Sequence, residues 1–138
     1  MQHTYHKIPI HLVWSTKGRY PYIRPEIREQ LQAHIRHNAA AAKIRLDCVN
    51  ARPEHVHCLV DLDPAMSVAQ AVNLIKGESS HWLNQQKLTK DHFAWQTGYS
   101  AFSVSREHQA RVRGYINNQD RHHEKLPYDG ELERLGGE

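Results

Sequence analysis

Cysteine is scarce in this chain, and long apolar runs are missing. The 138 residues include only two cysteines, Cys48 and Cys58, so no Cys-x-x-Cys zinc site can be assembled and we expect free thiols. The longest apolar run near the middle is four alanines at 39–42, which is far too short to span a membrane. The N-terminus also lacks the apolar stretch of a secretory signal. We therefore expect a cytoplasmic protein with no membrane contact.

Glycine and proline are also sparse, and no repeat or linker interrupts the chain. The 7 glycines, 6 prolines and 39% apolar residues exclude collagen-like, low-complexity and disordered proteins. A chain of this length can bury a core without disulfides. We predict one domain over residues 1–124, followed by a polar tail over residues 125–138.

Charge is only slightly unbalanced over the whole chain, which has 18 basic and 15 acidic residues and a net charge of +3. Because the last ten residues include four acidic residues and only one basic residue, the body of the protein is more basic than this total. A moderately basic body is compatible with nucleic-acid binding, but many enzymes have the same balance. Histidine is the larger anomaly, with 12 residues, a few of which could be metal ligands.

The order of apolar patterns predicts the fold. Alternating or β-branched segments indicate strands, and apolar residues at steps of three or four indicate helices. The predicted strands are 8–15, 44–51, 55–63 and 99–104, with a short strand at 93–95, and the predicted helices are 25–43, 67–86 and 107–122. This order is typical of an α+β, ferredoxin-like β-α-β-β-α-β antiparallel sheet with helices on one face. The last helix is additional to that plan.

Two histidines on the third predicted strand are candidate metal ligands. Side chains alternate along a strand, so His55 and His57 share one face, while Val56 and Cys58 share the other. The apolar face should pack on the helices, which leaves both imidazoles on the open face. A shared cation would account for two neutral imidazoles at this spacing. Two solvent-exposed histidines remain the alternative at this point.

The last predicted helix carries a tyrosine and an amide on one face. Tyr115 and Gln119 are four residues apart, so they lie one above the other, beside an apolar stripe of Val112 and Ile116. Taken by itself, this pattern is as typical of an interface as of a catalytic helix.

Together with three other segments, these two patterns resemble the small single-tyrosine transposases of the HUH superfamily, the insertion-sequence-200-like family. The likeness involves five segments in the same order along nearly the whole chain. They are His11–Lys17, Pro53–His57, Lys76–Gly77, Trp95–Ser105 and Tyr115–His123. One departure is Glu54, because family members usually have aspartate before the first histidine of the pair.

The resemblance implies a metal-dependent enzyme that cuts and rejoins single-stranded DNA at hairpin-containing element ends. It assigns Tyr115 as the nucleophile that forms a 5′-phosphotyrosine, and His55, His57 and Gln119 as metal ligands. It implies Mg²⁺ as the ion, and the two imidazoles lead us to expect that Mn²⁺ substitutes. It further implies a homodimer in which active sites can be shared between subunits.

Six basic residues are candidate DNA contacts, since lysine and arginine neutralise phosphates. They are Lys17, Arg19, Arg52, Lys76, Arg111 and Arg113.

Two alternatives to a transposase remain. One is a domesticated relative that binds or processes hairpin DNA without transposition. The other is a metal-dependent nuclease that uses water, with His122 or His123 as a further ligand.

Overall fold

A computed structural model of the protein describes residues 4–119. It has four strands, three α-helices and short 3-10 turns at Lys17–Arg19 and Arg106–His108. The strands are β1 (Pro9–Ser15), β2 (Arg45–Ala51), β3 (His55–Asp61) and β4 (Ser100–Ser103), and the helices are α1 (Pro25–Ala41), α2 (Val68–Gln85) and α3 (Gln109–Asn117). In this part of the chain, no helix is both long enough and apolar enough to cross a membrane.

The strands form one antiparallel sheet in the order β2-β3-β1-β4. This order confirms the predicted ferredoxin-like α+β class. The main core lies between one face of the sheet and helices α1 and α2. Helix α3 lies on the other face, where Ile116 packs with Cys48 and Leu59 in a smaller cluster. The sheet therefore has a helix-facing side and an open side that only α3 covers within the described residues.

Local sequence signals explain the two long helices. Pro25 occupies the first turn of α1, a position where a missing N–H costs little. Ser67 caps α2, because its hydroxyl accepts from the Gln70 N–H while the Gln70 side chain accepts from the Ser67 N–H. This reciprocal pair satisfies two donors that a helix start leaves unpaired. The predicted N-cap at Ser67 is thus confirmed.

Two predicted elements differ in the structure. Residues 93–95 do not form a strand, and only an isolated bridge pairs Trp95 with Thr16. The third helix begins at Gln109 instead of near residue 107, because Arg106–His108 form a tighter 3-10 turn. Its regular part ends at Asn117, so Gln119 lies just beyond it. The part predicted after residue 119 lies outside the described residues.

A β-bulge in β2 changes which side chains reach the open side. The pairing with β3 shifts between Leu46 and Cys48, which leaves Asp47 as the extra residue. Leu46 packs against the main core, whereas Cys48 belongs to the cluster under α3. Strict alternation would place these two residues on the same face. The bulge therefore turns Asp47 and Cys48 together toward α3.

Candidate active site

The two β3 histidines converge on the open side of the sheet. Both side chains are fully buried, while Val56 and Cys58 belong to the helix-facing core, as predicted. The Nε2 atoms of His55 and His57 are 3.1 Å apart. Their ring planes are inclined at 76°. The two rings thus present the same kind of nitrogen to one point.

Each of these two rings is held by a hydrogen bond at its other nitrogen, Nδ1. The Nδ1 of His55 lies 2.9 Å from a carboxylate oxygen of Glu54, and the Nδ1 of His57 lies 2.9 Å from the Nε2 of His11. A carboxylate can only accept, so the Nδ1 of His55 carries the hydrogen, and in the neutral ring Nε2 keeps a lone pair. Glu54, the departure from the family pattern, therefore orients His55.

The residues present fit a divalent cation. Two neighbouring ligands of an octahedral ion, each about 2.1 Å from it, lie about 3.0 Å apart, close to the observed separation of the two Nε2 atoms. Within residues 4–119, no three His, Cys, Asp or Glu side chains form a ready metal cluster. A third ligand from this part of the chain would have to be of another type.

Gln119 is a suitable third ligand. Its side chain is fully buried, and its Oε1 accepts no hydrogen bond within the described part of the chain. An unsatisfied buried amide oxygen is costly, and amide oxygens are common ligands of hard divalent ions. Metal ligation by His55, His57 and Gln119 stays a prediction that these observations favour.

Tyr115 lies beside the histidines of its own chain. Its ring meets the ring of His57 edge to face, with centroids 6.2 Å apart and planes at 82°. The side-chain amide of Gln119 donates to the carbonyl of Tyr115 at 3.3 Å. The structure thus places the predicted nucleophile next to His57, one of the predicted ligands. Its catalytic role stays a prediction.

Helix α3 is attached to the sheet by packing and by hydrogen bonds to β2. Ile116 is fully buried, and its carbonyl accepts from the Asn50 side chain at 2.8 Å. Asn50 in turn accepts from Arg28 of α1 at 3.1 Å. In the register of the sheet, Asn50 lies opposite His57. One side chain therefore ties α3 to the strand position next to the histidines.

The bulged Asp47 provides a second attachment. Its carboxylate accepts two hydrogen bonds from Arg113, at 2.6 and 2.8 Å, and one from Gln109 at 2.7 Å. The hydrogen bonds from Arg113 lower the pKa of Asp47, against the opposing effect of partial burial. Hydrogen bonds to a charged acceptor are stronger than neutral ones. Asp47 thus holds the helix that carries Tyr115.

Removing the charge at this attachment should loosen α3. Because the native pKa of Asp47 is lowered, the carboxylate adds stability that is present above its unfolded pKa of about 3.9. That contribution is lost as the pH falls through the native pKa. We expect Asp47→Asn to have weaker hydrogen-exchange protection in α3 than the wild type at neutral pH. When the pH is lowered into the acid range, the variant should lose less additional protection than the wild type. Protection in β1 and β3 should not change.

The exposed Asp91 offers a matched control for this experiment. Asp91→Asn removes one carboxylate outside the α3 attachment and should leave α3 protection unchanged. Equal α3 protection in Asp47→Asn and the wild type at every pH would contradict the attachment.

The cysteines are not candidate nucleophiles. Both are buried free thiols. Burial raises the pKa of Cys48 to about 12 and also raises that of Cys58. The thiolate is the reactive form of cysteine, so neither thiol is available for nucleophilic chemistry near neutral pH.

Three predicted DNA contacts come from two turns at the histidine end of the sheet. The Thr16 N–H donates to the carbonyl of Glu54 at 2.9 Å, so the end of β1 lies against the start of β3. Lys17 and Arg19 follow on an exposed 3-10 turn, and Arg52 belongs to the turn before β3. Their contact with DNA stays a prediction, which their position favours.

The other three predicted DNA contacts have different surroundings. Lys76 is half-buried, donates to the carbonyls of Gln96 and Gly98 at 2.8 and 2.9 Å, and has a pKa lowered by burial. Arg113 pairs with Asp47, while Arg111 is exposed on α3. Lys76 and Arg113 therefore have structural roles that the sequence did not predict. Contact of all three residues with DNA stays a prediction.

Sequence reasoning missed His11, Asp47 and Asn50. His11 could have been identified from the sequence, since it is a polar residue in an apolar strand. Its side chain lies on the same face of that strand as Val13. Asp47 had none, because a bulge leaves no mark in the alternation. His122 and His123, the further ligands in the water-nuclease alternative, lie outside the described residues.

Comparisons with known proteins agree with this architecture. The sequence model of the family described as "Transposase IS200 like" matches residues 4–119. The ISDra2 transposase TnpA of Deinococcus radiodurans is 25% identical over 120 residues, which cover 83% of this chain and 85% of that protein. The transposase for insertion sequence element IS200 of Salmonella typhimurium is 28% identical over 141 residues, with 94% and 91% coverage.

Two solved structures share the fold. A crystal structure from Deinococcus radiodurans R1, assigned as a transposase, has a TM-score of 0.70 and 25% identity, and covers 86% of this chain and 95% of its own. A REP-associated tyrosine transposase bound to a REP hairpin has a TM-score of 0.60 at 15% identity, with 88% and 73% coverage; at that identity the likeness concerns the fold alone. The family match extends over all the described residues, and this chain belongs to the IS200-like transposase family.

Proposed function

We propose that this chain cuts and rejoins single-stranded DNA at hairpin-containing element ends, with Tyr115 as the nucleophile. The observation that carries the proposal is the edge-to-face contact between Tyr115 and His57, next to the two converging Nε2 atoms. A phenol beside a pair of potential metal ligands would combine a nucleophile with a cation that stabilises the charge on the phosphate.

His55, His57 and Gln119 would hold the cation. All three are neutral ligands when they bind, so they would leave the full charge of the ion for the DNA phosphate. When bound, a divalent cation stabilises negative charge on the non-bridging phosphate oxygens and orients the phosphate. We propose Mg²⁺ as the ion used, with Mn²⁺ able to replace it because imidazole suits transition ions.

Tyr115 performs the covalent step. Its oxygen attacks phosphorus, the bond from phosphorus to the 3′ oxygen breaks, and the 3′ oxygen of the flanking strand takes up one proton and leaves as a hydroxyl. The proton of the phenol is released, so charge and atoms balance. The 5′-phosphate remains on Tyr115, and a 3′-hydroxyl can later attack it and regenerate the phenol. Rejoining therefore needs no external energy source.

The proposed substrate follows from the relatives and from the basic turns. The curated relatives are insertion-sequence transposases, and one structural neighbour binds a REP hairpin. Lys17 and Arg19 are exposed near the histidine end, where they could neutralise phosphates and make binding salt-dependent. A domesticated relative that processes hairpins without mobilising an element would use the same site.

A denaturing gel tests the proposal against both alternatives. The substrate is a hairpin-containing single strand labelled at its 3′ end, because the 5′-phosphotyrosine would carry that fragment. With Mg²⁺, we expect labelled DNA bound covalently to the protein. A free labelled fragment with a 5′-phosphate and no adduct would indicate hydrolysis by water. Uncut DNA that shifts only on a native gel would indicate a binding protein.

We also propose a homodimer, as the resemblance implies, and mixing two inactive variants tests how its sites are built. Tyr115 meets the His57 of its own chain, so we expect a mixture of Tyr115→Phe and His57→Ala to stay inactive. If sites were shared between subunits, random mixed dimers would restore about a quarter of wild-type cutting. Light scattering on the mixture provides the control that dimers form, and a monomer that cuts at the wild-type rate would contradict the dimer.

A further inference from the structure

His11 lies next to the proposed metal site without belonging to its ligand set. It sits on β1 with 1% of its surface exposed, and its Nε2 is 2.9 Å from the Nδ1 of His57. The two rings are inclined by only 22°, with centroids 5.1 Å apart. The ring of Phe102 on β4 lies 6.1 Å away. His11 is therefore held between the edge strand and the proposed ligand.

The hydrogen bond between His11 and His57 contains one proton. The position of that proton decides which ring nitrogen of His57 keeps a lone pair. If His11 donates from Nε2, a neutral His57 carries its hydrogen on its own Nε2, the atom that faces His55. While no cation is bound, the Nε2 of His55, 3.1 Å away, can accept that hydrogen. The hydrogen would, however, occupy the position of the lone pair needed for a cation. If His57 donates from Nδ1, its Nε2 lone pair is free. Cation binding by His57 therefore requires His11 to accept.

We propose that His11 is a positioning residue that holds His57 in the tautomer whose Nε2 is free to bind the cation. This inference rests on the proposed function, in which His57 is a ligand. Glu54 has the corresponding role for His55, since its carboxylate accepts from that ring at 2.9 Å. Ligand histidines in proteins are usually oriented by such an outer acceptor.

The choice of imidazole as the second acceptor has a chemical consequence. A second carboxylate would add negative charge next to the place where a DNA phosphate must approach, and a buried charge is costly to hold. The Nε2 of His11 accepts the same hydrogen without adding that charge. The pair Glu54 and His11 thus orients both ligands with only one negative charge.

Two substitutions separate this role from simple packing. His11→Phe keeps a ring of similar size on β1 but has no acceptor. His11→Gln is less similar in shape, but its amide oxygen can accept from the Nδ1 of His57. A space-filling role predicts that His11→Phe is the milder change. A positioning role predicts that His11→Gln is milder.

The direct measurement is nitrogen NMR of the histidine rings in the full chain saturated with Mg²⁺, because without a cation the Nε2 of His55 competes for the hydrogen of His57. We expect the share of His57 with hydrogen on Nδ1 to fall in His11→Phe and to be retained in His11→Gln. We also expect calorimetry to show Mn²⁺ affinity about 10–100-fold weaker in His11→Phe and within a few-fold of wild type in His11→Gln.

Equal tautomer shares and equal Mn²⁺ affinity in His11→Phe and the wild type would overturn the inference. So would a wild-type His57 that carries its hydrogen on Nε2 whether or not His11 is replaced, a result that needs no affinity measurement. Failure of the wild type to bind Mn²⁺ would instead count against the proposed metal site. In that case the role of His11, which depends on that site, fails with it.

Discussion

Replacing Tyr115 with phenylalanine is expected to abolish covalent attachment to cleaved DNA and to leave hairpin binding intact. The substitution keeps the ring that meets His57 edge to face at 6.2 Å, so the packing of α3 changes little. It removes only the oxygen that would attack phosphorus. Loss of a nucleophile should lower the cutting rate by at least about a thousandfold.

The measurement compares adduct formation on a denaturing gel with binding by fluorescence anisotropy. Tyr99→Phe is the matched control, because Tyr99 is 42% exposed on the loop before β4 and lies outside the site. This control should cut and bind like the wild type. Cutting by Tyr115→Phe at the wild-type rate would show that another group is the nucleophile.

Replacing His57 with alanine is expected to remove both metal binding and cutting. The ring of His57 lies at the centre of the site, since it contacts His11, His55 and Tyr115. Its loss takes away one ligand and the surface against which the phenol is placed. Removal of such a buried ring should also lower the free energy of unfolding, so the unfolding midpoint must be measured beside the activity.

Two controls complete this experiment, a substitution of an exposed histidine and removal of the metal with a chelator. His81→Ala on α2 changes an exposed residue outside the site and should keep Mn²⁺ affinity and cutting. The wild type should stop cutting when the metal is chelated and resume when Mg²⁺ or Mn²⁺ is returned. Cutting by His57→Ala that continues unchanged in chelator would remove the proposed role of the metal.

Alternation and capping made much of the fold predictable. The apolar positions of β3 identified its helix-facing side, and His55 and His57 followed on the other side because side chains alternate. Ser67 could be identified as an N-cap from its position before an apolar stripe. These are local signals, each contained in one element, and the structure confirms them.

Features that depend on two distant segments were not predictable in the same way. His11 and His57 are 46 positions apart, and only the pairing of β1 with β3 brings them together. The bulge at Asp47 interrupts the alternation from which the faces of β2 are inferred. The short segment 93–95 has strand-forming residues, but only Trp95 forms a bridge, and its partner Thr16 lies just beyond the end of β1.

The position of α3 is decided by contacts with other elements and not by its own sequence. Its sequence predicts a helix with Tyr115 and Gln119 on one side, but not the surface it covers. Asp47, Asn50 and the cluster around Ile116 decide that surface. Because these contacts lie on β2 and β3, the tyrosine comes to rest beside the histidines of the same chain.

The most direct measurement is peptide mapping of the covalent product by mass spectrometry. Wild-type protein is incubated with a hairpin-containing single strand and Mg²⁺, digested with nuclease and trypsin, and searched for a residue that carries a nucleotide 5′-phosphate. We predict that residue to be Tyr115, and that no such peptide forms when His57 is replaced by alanine. A nucleotide on any other side chain, or cleaved DNA without a modified peptide, would contradict the account.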